Sequence, residues 1–83
     1  MLYRISRHAR QQMAARGIPE QEVDAVMQAP RQIVDEANDK KCYQARWNRG
    51  GAEFLLRLIV ADDVTPAVVV TVYFTSQIDK YWV

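Results

Sequence analysis

The sequence predicts an α+β domain: two N-terminal helices packed on a curved four-stranded antiparallel sheet, in the order ααββββ, with room for a short strand before the first helix. Three observations lead there. Residues 6–30 combine runs of good helix formers with helix-end signals. After Pro30 the chain turns to β-branched and aromatic residues, broken by turn signals. The length, 83 residues, suits one hydrophobic core, so residues 1–83 read as a single domain.

Each element has its own justification. Residues 2–5 suit a short strand. Ser6 is a natural N-cap, because its hydroxyl can accept from an early helical N–H. Residues 7–16 hold Ala9, Ala14 and Ala15 among Gln and Arg, all favourable in helices. Gly17 falls where a left-handed C-terminal cap belongs. Pro19 then opens a second helix as its first residue, with Glu20 and Glu22 near the positive end of the helix dipole. Val23, Val26 and Met27 recur at the spacing of a buried helical face, and Pro30 stops this helix at Ala29. A first strand covers residues 32–36, with a turn near Asn38-Asp39. In the next, Tyr43, Ala45 and Trp47 alternate with Cys42, Gln44 and Arg46, the pattern of a half-buried strand. Asn48-Arg49-Gly50-Gly51 reads as the clearest turn in the chain. Residues 54–60 are apolar except for Arg57, residues 62–66 turn again, and residues 67–74 are Val-rich enough for a central strand.

Composition narrows the function classes. The chain is 49% hydrophobic and 25% charged, typical of a globular protein. No stretch approaches the roughly 20 apolar residues of a membrane span, because Arg57 and Asp62-Asp63 interrupt the longest run. With no hydrophobic segment after Met1-Leu2-Tyr3-Arg4, the expected location is the cytoplasm. Cys42 is the one cysteine and His8 the one histidine, so neither a disulfide framework nor a Cys/His metal site is expected. The net charge of +1 hides segregation. Arg4, Arg7, Arg10 and Arg16 occur without an acid in residues 1–19, and Lys40, Lys41, Arg46, Arg49 and Arg57 face only Glu53 in residues 40–57. The intervening segment is acidic. This pattern allows one basic and one acidic face, or simply solvated charges.

Three features can carry chemistry. On a helix, His8, Gln12 and Arg16 form one row. His8 then borders the packed face, with an intrinsic pKa suited to proton transfer; a structural histidine at the helix–sheet junction fits equally. Arg57 interrupts an interior strand, where a charge is costly unless paired. It needs a phosphate, an opening to solvent, or an internal acid such as Glu53 or Glu22. Thr71, Tyr73 and Thr75 share one strand face. With Lys80 and Tyr81 after them, their hydroxyls can hold a phosphate, or form a polar strand exit with Tyr81 and Trp82 covering the sheet.

Two segments together point to a family. The opening Ser6-Arg7-His8-Ala9-Arg10-Gln11-Gln12-Met13-Ala14-Ala15-Arg16-Gly17-Ile18 and the closing Val70-Thr71-Val72-Tyr73-Phe74-Thr75-Ser76-Gln77-Ile78-Asp79-Lys80-Tyr81-Trp82 resemble the two ends of a small bacterial domain-of-unknown-function family, number 4258. That family is similar to toxins with the fold of barnase, colicin E5 and RelE, which cut RNA without a metal. The resemblance implies a metal-independent ribonuclease toxin of a toxin–antitoxin system, with His8, Arg57 and Thr75 as catalytic candidates. It further implies Arg16, Tyr73, Lys80 and Tyr81 as substrate-binding candidates. RNA and a cognate antitoxin are the implied partners, and no metal or cofactor is implied. The alternatives are a non-catalytic protein-interaction module using Trp47, Tyr81 and Trp82 as anchors, or an RNA-binding domain that does not cut. Convergence of His8, Arg57 and Thr75 on one cleft favours the enzyme.

Overall fold

The computed structural model describes residues 2–83. The elements run β1 (Tyr3–Ile5), α1 (Arg7–Arg16), α2 (Glu20–Gln28), β2 (Gln32–Asp35), β3 (Lys41–Arg49), β4 (Ala52–Ala61), β5 (Ala67–Thr75) and α3 (Ile78–Tyr81). The α+β class stands, but the sheet has five strands rather than four and is mixed rather than antiparallel. Its order is β1-β5-β4-β3-β2, with β1 parallel to β5 (Tyr3 beside Ala67, Ile5 beside Val69) and the remaining pairs antiparallel. The physical reason is connectivity. The helix pair carries the chain from β1 across one sheet face to the far edge, and the meander then returns until β5 lies beside the N-terminal strand.

The local signals act much as their chemistry dictates. Ser6 Oγ accepts from the Ala9 N–H at 3.0 Å. Gly17 sits at φ 64°, and Ile18 N–H donates to the Met13 carbonyl at 2.9 Å, closing α1. Pro19 is the N-cap of α2 rather than its first residue, and Ala29 is its C-cap, one residue past the last helical position. Asn38 and Asp39 both take positive φ at the β2–β3 turn. The β3–β4 hairpin is tighter than the sequence suggests. Arg49 pairs with Ala52, leaving Gly50 and Gly51 (φ 60° and 83°) as a two-residue loop of the type that favours glycine.

Alternation divides the sheet into two faces. Tyr43, Leu58 and Val72 stand in one cross-strand row, Ala45, Leu56 and Phe74 in the next. This face packs on Ala9 and Met13 of α1 and on Val23, Val26 and Met27 of α2, forming the core. Trp47 closes one end of it against Phe74, edge to face at 5.5 Å. The opposite face carries the polar row described below.

Gly17 offers a direct check of the helix cap. A Cβ there would sit 2.7 Å from the end of the flexible Arg49 side chain, which can move, whereas the left-handed backbone cannot be relieved. Gly17→Ala is therefore expected to cost about 1–2 kcal/mol, read as a lower denaturation midpoint with unchanged slope. An unchanged midpoint would show that the cap contributes nothing.

Candidate active site

The polar face is built by register. Gln44 of β3, Arg57 of β4 and Tyr73 of β5 lie opposite one another, so three long polar side chains meet at the middle of the sheet. The adjacent rows are Cys42, Ile59 and Thr71 on one side, and Arg46, Leu55 and Thr75 on the other. Gln44 is wholly buried and Arg57 is only 4% exposed, so both depend on internal partners.

Arg57 finds them in every direction. Its Nε donates to Gln44 Oε1 at 2.9 Å, and its Nη1 donates to the Tyr73 hydroxyl. Its Nη2 lies 3.5 Å from the carboxylate of Glu36, just past the end of β2. The Tyr81 ring roofs the guanidinium, 4.1 Å from centre to centre. The acid is thus Glu36 rather than Glu53 or Glu22; Glu53 pairs with Arg46 at 2.9 Å instead. A guanidinium has five N–H donors, so donors remain beyond these three bonds.

The C-terminal residues close this face. Gln44 Nε2 donates to the Tyr81 carbonyl at 3.1 Å and to Gln32 Oε1 at 2.8 Å. Gln32 Oε1 also accepts from the Val83 N–H at 3.2 Å, and Arg46 lies under the Trp82 ring at 4.8 Å. An open cleft of about 610 Å³ runs alongside, lined by Arg46, Glu53, Ser76, Gln77, Asp79 and Lys80 among others. Lys80 is exposed, with its ammonium 5.2 Å from the Tyr81 ring centre.

Burial sets the proton chemistry here. It raises the Tyr73 phenol above its ordinary value, and the Arg57 charge opposes that rise. It pushes the Cys42 thiol up to about 11, again against the pull of Arg57. A thiol held protonated is a poor nucleophile. Native Cys42 should therefore resist iodoacetamide at pH 8 and label fully once the chain is unfolded. Rapid stoichiometric labelling of the folded protein would contradict this burial.

Arg57, Tyr73 and Tyr81 thus meet at one point. Thr75 stands one row away, its hydroxyl accepting from the Gln77 N–H at 3.0 Å and shaping the entry to α3. The other candidates lie elsewhere. Beyond Val69, where the β1 pairing ends, α1 covers the edge of β5: Val72 N–H donates to Gln12 Oε1 at 2.9 Å and Arg16 Nη1 donates to the Val72 carbonyl at 3.0 Å. Arg16 therefore holds the helix to the strand. His8 begins the same row and is exposed. Among the described residues no hydrogen bond, ion pair or ring contact joins it to Arg57 or Thr75. The residues missed from sequence are Gln44 and Glu36. Gln44 was signalled by its place in the alternation of β3, whereas Glu36 carried no signal.

An α+β domain with a charged cluster buried on the sheet face opposite its two long helices is the class that fold and site define. More particularly, the chain belongs to the domain-of-unknown-function family DUF4258, which matches residues 5–74. Residues 75–83, among them Thr75, Lys80 and Tyr81, lie beyond that span. No curated protein and no solved structure matches the chain. Among the described residues, no helix is long and apolar enough to cross a membrane.

Proposed function

We propose that this protein is a metal-independent endoribonuclease of the bacterial toxin type, with its site at the Arg57 cluster. The observation that carries this reading is the meeting of a guanidinium, a part-exposed carboxylate and two phenols on one face, with Arg46 and Lys80 lining the cleft beside it. Such a set can supply charge stabilisation and proton transfer without further groups. An RNA phosphate entering the cluster exchanges with Glu36 for donors of Arg57. Glu36 then takes the proton of the 2′-hydroxyl, the 2′-oxygen bonds to phosphorus, and the bond to the 5′-oxygen breaks. Lys80 delivers the proton that the departing 5′-oxygen requires. The products are a 2′,3′-cyclic phosphate and a 5′-hydroxyl. Tyr73 and Tyr81 orient the phosphate. A toxin of this kind needs a cognate inhibitor protein as partner.

A second reading has its own observation. Every bond of Arg57 is made within the chain, and Tyr81 lies over it. That suits a non-catalytic interaction module in which Arg57 anchors the C-terminal residues. Incubating folded protein with end-labelled RNA in excess EDTA separates the two. Cyclic-phosphate ends that disappear in Glu36→Gln support the nuclease; intact RNA at micromolar protein, over hours, supports the module. His8→Ala in parallel reports whether the histidine takes part.

A further inference from the structure

We propose that the outer edge of β3 beyond Gln44 is a docking site for an extended segment of a partner protein in which apolar and acidic residues alternate. The inference does not depend on nuclease activity. It begins with unequal strand lengths. β2 pairs with β3 only from Lys41 to Gln44, whereas β3 continues to Arg49. Parity then decides which backbone groups are open. Arg49 and Ala52 flank the two-residue loop as a pair, so odd-numbered residues of β3 bond to β4 and even-numbered ones face the other edge. The Gln44 carbonyl, which accepts from Arg31 N–H at 3.1 Å, obeys this rule. Arg46 and Asn48 follow it too, and both are exposed. Among the described residues, their backbone N–H and C=O groups have no partner on that side. An open edge of this kind is a template for an added strand.

The surroundings specify what such a strand carries. On the helix side, a pocket of about 160 Å³ has walls of Ala25, Val26, Ala29, Ala45, Trp47 and Leu56, with Glu22 as the one acid in its lining. On the opposite side, a second pocket of about 110 Å³ is lined by Arg31, Arg46 and Trp82. Arg31 and Arg46 border both pockets. Successive residues of an added strand point to opposite faces. One side chain therefore enters the pocket against its alanine, valine, leucine and tryptophan walls, while its neighbour meets the guanidinium groups of Arg31 and of Arg46, the latter already paired with Glu53. Apolar and acidic residues in alternation satisfy both. A second copy of this chain is the poorer occupant, because two-fold pairing of the edge with itself brings Arg31 and Arg46 of both copies together.

Selection of a random dodecapeptide display library on the folded protein, without RNA, tests the site. The expected result is enrichment of sequences alternating acidic and apolar residues over at least four positions. Binding should fall about tenfold or more in Arg31→Glu, which reverses a charge at the pocket. It should vanish in Asn48→Pro, which removes one outward N–H where an edge strand tolerates proline. Circular dichroism and amide spectra establish that both variants are folded. Enriched peptides without alternation, binding that survives Asn48→Pro, or no enrichment at all would each overturn the proposal. So would sedimentation showing wild-type dimers that Asn48→Pro dissociates, since the second copy would then be the occupant. Neither variant alters the Arg57 cluster, so failure here leaves the nuclease reading to its own test.

Discussion

On the ribonuclease reading proposed above, Arg57→Lys is expected to slow RNA cleavage by about 10²–10³-fold, the usual consequence of losing one preorganised donor to a developing oxyanion. The substitution keeps the charge, so the loss reports geometry. Arg57 spreads its donors over Gln44, Tyr73 and Glu36 in three directions while its flat face meets Tyr81. A lysine ammonium is a point charge at the end of a flexible stem and cannot reproduce that planar fork. Because the interaction strengthens as charge develops on the phosphate, kcat should fall more than KM rises. The variant also loosens the C-terminal residues, which Trp82 fluorescence can follow through its contact with Arg46. A changed Trp82 signal with cleavage unaltered would remove Arg57 from the chemistry and leave it as an anchor. Equal loss in Arg57→Lys and in a variant lacking residues 77–83 would instead mean that the closing segment, more than the arginine, organises the site.

How far this site was legible depends on one turn. In a tight antiparallel hairpin the loop centre fixes the register. Centring the turn on residues 49 and 50, as Asn48-Arg49-Gly50-Gly51 suggests, sets Arg57 opposite Cys42. The structure centres it on Gly50 and Gly51, which sets Arg57 opposite Gln44. A one-residue shift of the loop moves the partner by two, so the alternation that marked Gln44 as a polar position did not place it opposite the buried arginine, although the strands themselves were correctly expected. Glu36 was hidden for a different reason. It lies beyond the last residue of β2, and its reach to Arg57 depends on tertiary placement that local pattern does not encode.

The helix caps, by contrast, are short-range chemistry, and Ser6, Gly17 and Pro30 announced them. The parallel placement of β1 was not announced. Three residues carry too little pattern to choose a neighbour, and the choice belongs to the crossover of the helix pair. The short α3 was equally silent, since four residues make barely one turn. The row of His8, Gln12 and Arg16 was legible as a row, but its purpose was not. Two of its members satisfy the edge of β5, a role visible only once β1 is seen to end at Ile5.

Leu58→Ala should be the most damaging single truncation of the core, costing about 2–5 kcal/mol. Leu58 is fully buried, flanked in register by Tyr43 and Val72, and belongs to the core shared with both long helices. A domain of this length has roughly 4–12 kcal/mol of stability in all. At about 4–8 °C per kcal/mol, the melting temperature should fall by some tens of degrees or the native state should be lost. Ile59 makes the comparison decisive. It is the next residue along β4, faces the opposite side of the sheet between Cys42 and Thr71, and is only half-buried. Ile59→Ala leaves a smaller or better-hydrated gap and should cost clearly less. Calorimetry on the two variants therefore tests the division of the sheet into a core face and a polar face. Equal losses would mean that the C-terminal residues make the second face as dry as the first, so that Arg57 would sit in a second core and a polyanion would have no route to it.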